Sequence, residues 1–462
     1  MRMLRVVGVL VLALGALVTA SFAAGPEAAA TEKQKPKFRT GGDFRLRQEI
    51  FDDIPIKSGG YTRGGQNDYF RLRTRLWAEW DPIENVTLRI RAVNEIRDWE
   101  KPANFRAKNP ETSTYEWPDE VVFDNLYLEA RDLFHGKMDL RIGRQEMIYG
   151  KGMLILEGTP KDGSRTIYFN AVKATWKDIK DTTVDLFGIY NPPEDQWAIN
   201  PADRDLTGLY KGNPDMVESG GGLYVKNKSI KSLPWEAYYI FKNEGAWTKG
   251  SGTNAVHIDD ADIHTAGFRL MPQFGKSLSG NLEAAYQLGK RGNVDLEGYG
   301  VDASLAYILP FMDDQKPTID AGVYYLSGDD PTTKDKDEGW NPLWARYPQS
   351  SELYVYAWDA DAPGRWSNLM MPHVGVTVTP AKWVKLTGAI AELYAVENDG
   401  PGDGKDRGLL MQARAEFTFG EKIWTAKDKL SGHLWLDVLE PGNYYKVDDT
   451  AVFARWQLAY EF

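Results

Sequence analysis

From residue 43 to the last residue, apolar side chains recur at every second position in one segment after another, and a period of two prescribes strands. In Phe70 to Trp80 the even positions are Phe70, Leu72, Thr74, Leu76, Ala78 and Trp80, while the odd ones include Arg71, Arg73, Arg75 and Glu79. After Asp81 to Asn85 the pattern resumes, with Val86, Leu88, Ile90 and Ala92 against Thr87, Arg89, Arg91 and Glu95, which predicts a hairpin. Upstream, Phe44, Leu46 and Ile50 alternate with Asp43, Arg45, Arg47 and Glu49. Eighteen such segments are expected, among them Lys137 to Tyr149, Arg165 to Trp176 and a last one from Thr450 to Phe462.

The connections alternate in length. Asp81 to Asn85, Asp132 to Gly136, Lys177 to Asp181, Pro272 to Ser277 and Pro380 to Lys382 are short, whereas Asp52 to Asn67, Lys101 to Glu120, Asn191 to Ser219, Glu244 to Ala261 and Gly328 to Ser367 are long and polar. That asymmetry predicts an all-β fold, a transmembrane antiparallel up-and-down barrel with short periplasmic turns and long extracellular loops. An even strand number puts both barrel ends of the chain on the short-turn side. Gly420 to Lys429 breaks the rule by being long where a short turn is due, and a slipped strand assignment would explain it equally well.

The ends of the chain agree with this reading. Arg2 and Arg5 precede an apolar run from Val6 to Val18 and the small residues Ala20, Ser21, Ala23 and Ala24, so residues 1–23 read as a secretory signal peptide. Residues 24–36 read as a flexible leader and 37–462 as the barrel. At the far end Ala454, Trp456, Leu458, Tyr460 and Phe462 alternate with polar neighbours, and the chain stops on the aromatic. The row Trp456, Leu458, Tyr460 and Phe462 resembles the C-terminal signal read by the outer-membrane barrel assembly machinery. Trp77, Trp80, Trp176, Trp235, Trp383 and Trp456 lie near strand ends, as interface girdles require.

Composition narrows the function. Without cysteine there is no disulfide framework, thiolate metal site or thiol nucleophile. A net charge of -11 argues against nucleic acid as a partner. The five histidines are scattered, with no His-Glu-x-x-His, Gly-x-Ser-x-Gly or phosphate-binding glycine loop, so no enzymatic activity is expected. The loop Asp329 to Glu338 is rich in acids but lacks the Asp-x-Asp-x-Asp-Gly spacing of a calcium loop. A solvated loop is expected there, and no cofactor is implied.

The charged faces carry the functional signal. In the first three strands they hold seven cations, Arg45, Arg47, Arg71, Arg73, Arg75, Arg89 and Arg91, against four carboxylates, Asp43, Glu49, Glu79 and Glu95. A lumen lined this way beneath acidic loops favours anionic solutes, because a guanidinium donates two parallel hydrogen bonds to a carboxylate or phosphate. The alternative is a cross-strand ladder of ion pairs that only stiffens a polar wall.

The run Leu140-Arg141-Ile142-Gly143-Arg144-Gln145-Glu146, then Tyr149 to Ile155, then Arg165-Thr166 with Phe169-Asn170-Ala171-Val172, resembles the signature of the alginate export family of outer-membrane barrels. The strand Phe70 to Arg75 and the loop entry Ser327-Gly328-Asp329-Asp330 resemble it too. The sequence departs from the family pattern at Gly150-Lys151-Gly152 and in the link Leu156 to Ser164. The resemblance implies an 18-stranded barrel whose arginine-rich constriction passes a polyuronate, and it favours Arg144 as a pore residue. Arg141 and Arg144 are oddly spaced, so on a regular strand they cannot both face the lumen. Either a bulge occurs near Gly143 or one arginine lies at the rim.

The function expected is a monomeric, passive outer-membrane channel for anionic polysaccharide or sugar-acid solutes. Its pathway is Arg45, Arg47, Arg71, Arg73, Arg75, Arg89, Arg91 and Arg144, and the loop Gly328 to Ser367 is a candidate gate. Its partners would be outer-membrane lipid, the solute, the assembly machinery and, for an exporter, periplasmic export proteins. A nonselective diffusion porin and a secreted β-rich polysaccharide-binding or degrading protein are the competing readings.

Overall fold

A computed structural model describes residues 36–56, 59–61, 65–101, 120–156, 168–193, 197–199, 216–249, 255–312, 314–345, 351–353 and 366–462. The signal peptide and nearly all of the leader therefore lie outside the described residues. Eighteen strands form the wall: β1 (Lys37–Asp52), β2 (Asn67–Ile83), β3 (Val86–Lys101), β4 (Val121–Asp132), β5 (Met138–Gln145), β6 (Phe169–Ile179), β7 (Thr182–Asn191), β8 (Glu218–Asn227) and β9 (Trp235–Glu244) make one half. The other half is β10 (Ala261–Leu270), β11 (Leu278–Arg291), β12 (Val294–Ile308), β13 (Thr318–Leu326), β14 (Leu369–Ala381), β15 (Val384–Tyr394), β16 (Asp406–Glu421), β17 (Lys429–Glu440) and β18 (Ala451–Glu461). Each pairs antiparallel with the next, and β18 pairs with β1 from Asp43↔Glu461 to Asp52↔Val452, so the sheet closes. Closure gives every wall strand a paired neighbour on both sides, as a hydrocarbon surrounding demands.

The alternation assigns the two faces. Phe44, Leu46, Ile50, Leu72, Leu76 and Trp80 are exposed on the outside, while Arg45, Arg47, Arg71 and Arg73 between them are buried inside. Trp80, Trp176 and Trp383 are exposed, as a girdle requires, but Trp77 shares the inward row of Arg75 and Glu79 and carries the Arg89 guanidinium over its ring at 4.9 Å. Position parity, not nearness to a strand end, decides its face.

The connections hold two surprises. The long link Lys422–Asp428 is real and needs no slipped strand. The Asp428 carboxylate accepts hydrogen bonds from the backbone N–H groups of Ile423, Trp424 and Thr425 at 2.7, 2.7 and 3.0 Å, folding the excess chain onto the rim. On the long-loop side, β11 and β12 run on to a tight turn at Gly292-Asn293, so one loop there is short.

Between β5 and β6 the chain leaves the wall. The strand expected as far as Tyr149 stops at Gln145, and Met147, Tyr149, Met153, Leu154 and Ile155 are buried with Trp340, Leu343 and Trp344 inside the barrel. Gly150 (φ 59°) and Gly152 (φ 84°) turn this segment through left-handed conformations. It then pairs in parallel with the Gly328–Ser367 loop through Ile155↔Trp344 and Leu156↔Ala345. Ala198–Ile199 pairs with Val121 and Val122, along the stretch of β4 that β5 leaves unpaired.

Candidate functional site

The inward face divides into two arcs. On the first, built by β1–β4 and β18, strand register sets arginine opposite arginine: Arg45↔Arg73 and Arg47↔Arg71. Like charges directly opposite repel, and buried carboxylates from neighbouring rows offset them. Glu49 accepts from Arg47 Nη1 at 3.0 Å, Arg71 Nη1 at 2.6 Å and Arg455 Nη2 at 2.5 Å. Glu95 takes Arg45 at 3.1 Å, Arg71 at 3.1 Å and Arg97 at 3.5 Å. Asp43 bridges Arg73 at 2.8 Å and Arg75 at 2.5 Å. Arg91 grips Asp124 in bidentate fashion at 2.7 and 2.8 Å and also meets Glu146, and Arg89 pairs with Glu79.

The arginines expected along the pathway are thus assembled on one arc, and each is bonded to the wall. Arg45, Arg47, Arg71 and Arg73 are almost wholly buried, while the Arg75 and Arg89 side chains each keep 18% exposure. Arg144 stands apart. Register through β4, β5 and β6 is continuous there, so Arg144 shares the row of Leu126 and Asn170. Leu126 lies with Leu128 and Ile142 in an apolar groove of the outer face. The oddly spaced pair therefore splits, with Arg141 inward on Glu129 at 2.6 Å and Arg144 at the upper end of β5. Arg144 donates to Asn170 Oδ1 at 3.0 Å and to the Phe123 carbonyl at 2.9 Å, beneath the Tyr168 ring.

Sequence periodicity missed Asp124, Glu146, Arg97, Glu352 and Arg455. Asp124 sits at a register shift between β3 and β4, which breaks its parity. Arg455 carries the right parity but reaches Glu49 only through closure of the barrel.

The second arc, from β7 to β12, is built on tyrosines and carboxylates. Tyr149 of the inward segment stacks on Tyr224 at 4.3 Å, and Tyr224 on Tyr238 at 5.2 Å. Tyr224 donates to Glu236 at 2.6 Å and Tyr238 to Glu283 at 3.1 Å. Lys151, at the tip of the inward turn, pairs with Asp302 at 2.7 Å. Above them Lys242 is fully buried between Glu218 at 2.8 Å and Glu244 at 3.0 Å, with Trp344 packed over it. Gly220 admits that indole: a Cβ there would lie 2.8 Å from the Trp344 ring and 2.1 Å from the Phe241 carbonyl oxygen.

The described parts of the loop Gly328 to Ser367 are seated in the barrel mouth. Ser351 donates to Asp437 at 2.7 Å and Glu352 meets Arg455 at 3.2 Å. Its acidic stretch turns its carboxylates onto its own backbone: Asp330 accepts from Thr332 N–H at 2.9 Å and Asp337 from Gly339 N–H at 2.9 Å. Partial burial, together with the charge of Asp337, pushes the Asp329 carboxyl up to about 6. Among the described residues no three acids or histidines converge as calcium ligands do.

The C-terminal row lies on the outer face. Phe462 stacks on Phe44 at 5.7 Å and exchanges two backbone hydrogen bonds with Gly42, both 3.0 Å. Trp456 donates to Gln48 at 3.0 Å and Tyr460 to Asp428 at 3.0 Å, while Leu458 is exposed.

The model of the alginate export family matches residues 37–400. No curated protein matches the sequence at a significant level. Among solved structures, the barrel is similar to a BenF-like porin from Pseudomonas fluorescens Pf-5, with 12% identity over 92% of this chain and 98% of that chain and a TM-score of 0.59. It is also similar to OccK2 (OpdF) of Pseudomonas aeruginosa in complex with glucuronate (12% identity, 92% and 98% covered, TM-score 0.56) and to OccK3 (OpdO) of the same organism (12%, 92% and 95%, 0.55). Family match and fold are those of transport channels of the Gram-negative outer membrane.

Proposed function

Because the chain belongs to the alginate export family of outer-membrane barrels, we propose that it passively conducts anionic saccharides or uronate-type sugar acids and performs no chemistry. One observation carries this reading. On the β1–β5 side of the short-turn mouth several ion pairs leave the cation the more exposed partner: Arg39 at 39% against 19% and 15% for Glu79 and Asp81, Arg141 at 26% against 17% for Glu129, Arg75 at 18% against 10% for Asp43; Arg89 and Glu79 are level, and Lys177 with Asp132 and Arg414 with Glu416 run the other way. Around Arg39, Arg75 and Arg141 the carboxylates sit behind and the guanidinium groups face the water, which supports a positive patch on that side of the mouth although the whole chain carries -11. The glucuronate held by the similarly folded OccK2 fits the same solute class.

The buried members Arg45, Arg47, Arg71, Arg73 and Arg91 set the field, and Arg75 and Arg89 border the path. The loop Gly328 to Ser367 serves as its gate. The barrel acts as a monomer, and the outward row Trp456, Leu458, Tyr460 and Phe462 is what the assembly machinery would read. The test is the reversal potential of the refolded protein in a planar bilayer under a salt gradient. Anion selectivity is expected, and cation selectivity or none would leave a general diffusion porin in its place.

A further inference from the structure

The first arc has many cations but spends them on its own carboxylates. The inward cations between β5 and β8 are differently placed. Arg141 and Lys173 are direct register partners on β5 and β6, two like charges side by side on the lumen face. Such a pair is unfavourable unless an anion lies between or beside its members. Arg141 binds Glu129 through Nε and Nη2, both to the single oxygen Oε1, at 3.0 and 2.6 Å. Lys173 has no ion pair or hydrogen bond among the described residues. Asp185 and Glu129 attract it only at longer range, and Asp185 is itself bonded to the Thr175 hydroxyl at 2.5 Å.

Lys226 on β8 adds a third charge. Its ammonium lies 5.1 Å from the Tyr149 ring and 5.5 Å from the Tyr224 ring, and it makes no ion pair among the described residues. Ring faces hold the cation without consuming its three donors. Its charge also opposes that of Lys173. Both lysines are only half-buried, so water and solute reach them. Tyr149 and Tyr224 are themselves buried and brace Lys226 from behind.

We infer that Arg141, Lys173 and Lys226 form a carboxylate-binding subsite in the lumen, separate from the arginine arc, which holds the acid group of a passing sugar acid. The inference rests on the anion-channel reading and names the place where that channel binds its solute. A carboxylate seated there takes charge-assisted hydrogen bonds from donors that nothing else uses and relieves the Arg141–Lys173 repulsion.

The experiment is single-channel block by sodium glucuronate, comparing wild type with K173Q/K226Q. Wild type should show concentration-dependent block, and the double variant should need about tenfold more glucuronate or greater, as expected from losing two charge-assisted bonds. K173R/K226R should retain block, which separates lost charge from a damaged barrel, and K231Q, on a turn outside the lumen, should behave as wild type. Equal block of wild type and K173Q/K226Q, or no block of wild type, overturns the subsite while leaving the channel's anion selectivity to be judged from its own reversal potential. A wild type that is blocked but not anion-selective overturns the function proposed above and not the subsite.

Discussion

Two stretches of the lumen wall, the arginine arc and the strands β5 to β8, put their cations to opposite ends. Around Glu49 and Glu95, every guanidinium is bonded within its own wall, so a high density of positive charge is converted into stiffness. From β5 to β8 there are fewer cations, but Lys173 and Lys226 keep their donors. Charge counted on a strand is therefore not charge available to a solute. Availability depends on whether the neighbouring strand supplies a carboxylate in register, and burial raises the stakes on both sides.

The sharpest way to break the contrast is at Glu49. Glu49→Ala removes the carboxylate that Arg47, Arg71 and Arg455 share, leaving Arg71 to Glu95, Arg455 to Glu352 and Arg47 to Gln457, and losing one member of a buried ion network costs about 3–5 kcal/mol. The midpoint for urea unfolding of the refolded barrel should fall accordingly. A drop below about 1 kcal/mol, the range of exposed pairs, would mean that the arc is not held by its ion pairs.

The second arc is tested through packing. Gly220→Ala puts a methyl 2.8 Å from the Trp344 ring and 2.1 Å from the Phe241 carbonyl, an overpacking cost of about 1–3 kcal/mol. Because Trp344 joins the inward segment to the mouth loop, unitary conductance should rise as the indole leaves. Unchanged conductance would show that the segment does not narrow the path.

A smaller effect separates exposed from buried arginine. R75S/R89S removes cations that border water and should lower the anion-to-cation permeability ratio by a factor of about two per charge, the scale of a screened charge worth roughly 0.5 kcal/mol. R73S/R91S should change selectivity less and unfolding more, since Arg91 holds Asp124 by two bonds. Equal selectivity changes in the two variants would remove the distinction between the field-setting and the path-lining residues.

The smallest effect lies in the mouth loop. Burial first, and then the charge of Asp337, raise Asp329 to about 6, so the folded loop holds a proton that the unfolded loop would release nearer pH 4. A raised folded value contributes stability that is complete below the unfolded value and lost as pH rises through about 6. Hydrogen exchange of residues 328–339, corrected for intrinsic rates, should be faster at pH 7 than at pH 5. Asp329→Asn should abolish the difference, and a wild-type loop equally protected at both pH values would refute the linkage.

Much of this protein is determined by its sequence alone. Alternation from Phe44 to Phe462 prescribes the strands, their inward and outward rows and an even closed barrel, because a wall between lipid and water leaves each residue two choices of side. The Arg-rich inward rows of β1, β2 and β3 were legible for the same reason. Parity failed at Asp124, where a register shift intervenes, and at Gln145, where the strand ends and the chain turns inward. It resolved the Arg141 and Arg144 pair only once continuous register was seen.

Tertiary structure alone decided which charges are spent. Glu49 meets Arg455 because β18 closes on β1, and Arg91 meets Glu146 because the chain after β5 turns into the lumen. Alternation names the side a residue faces but not the residue across from it. Register and closure choose that partner across as many as 410 positions, as for Arg47 and Gln457, and the free energy of a buried charge depends on the partner.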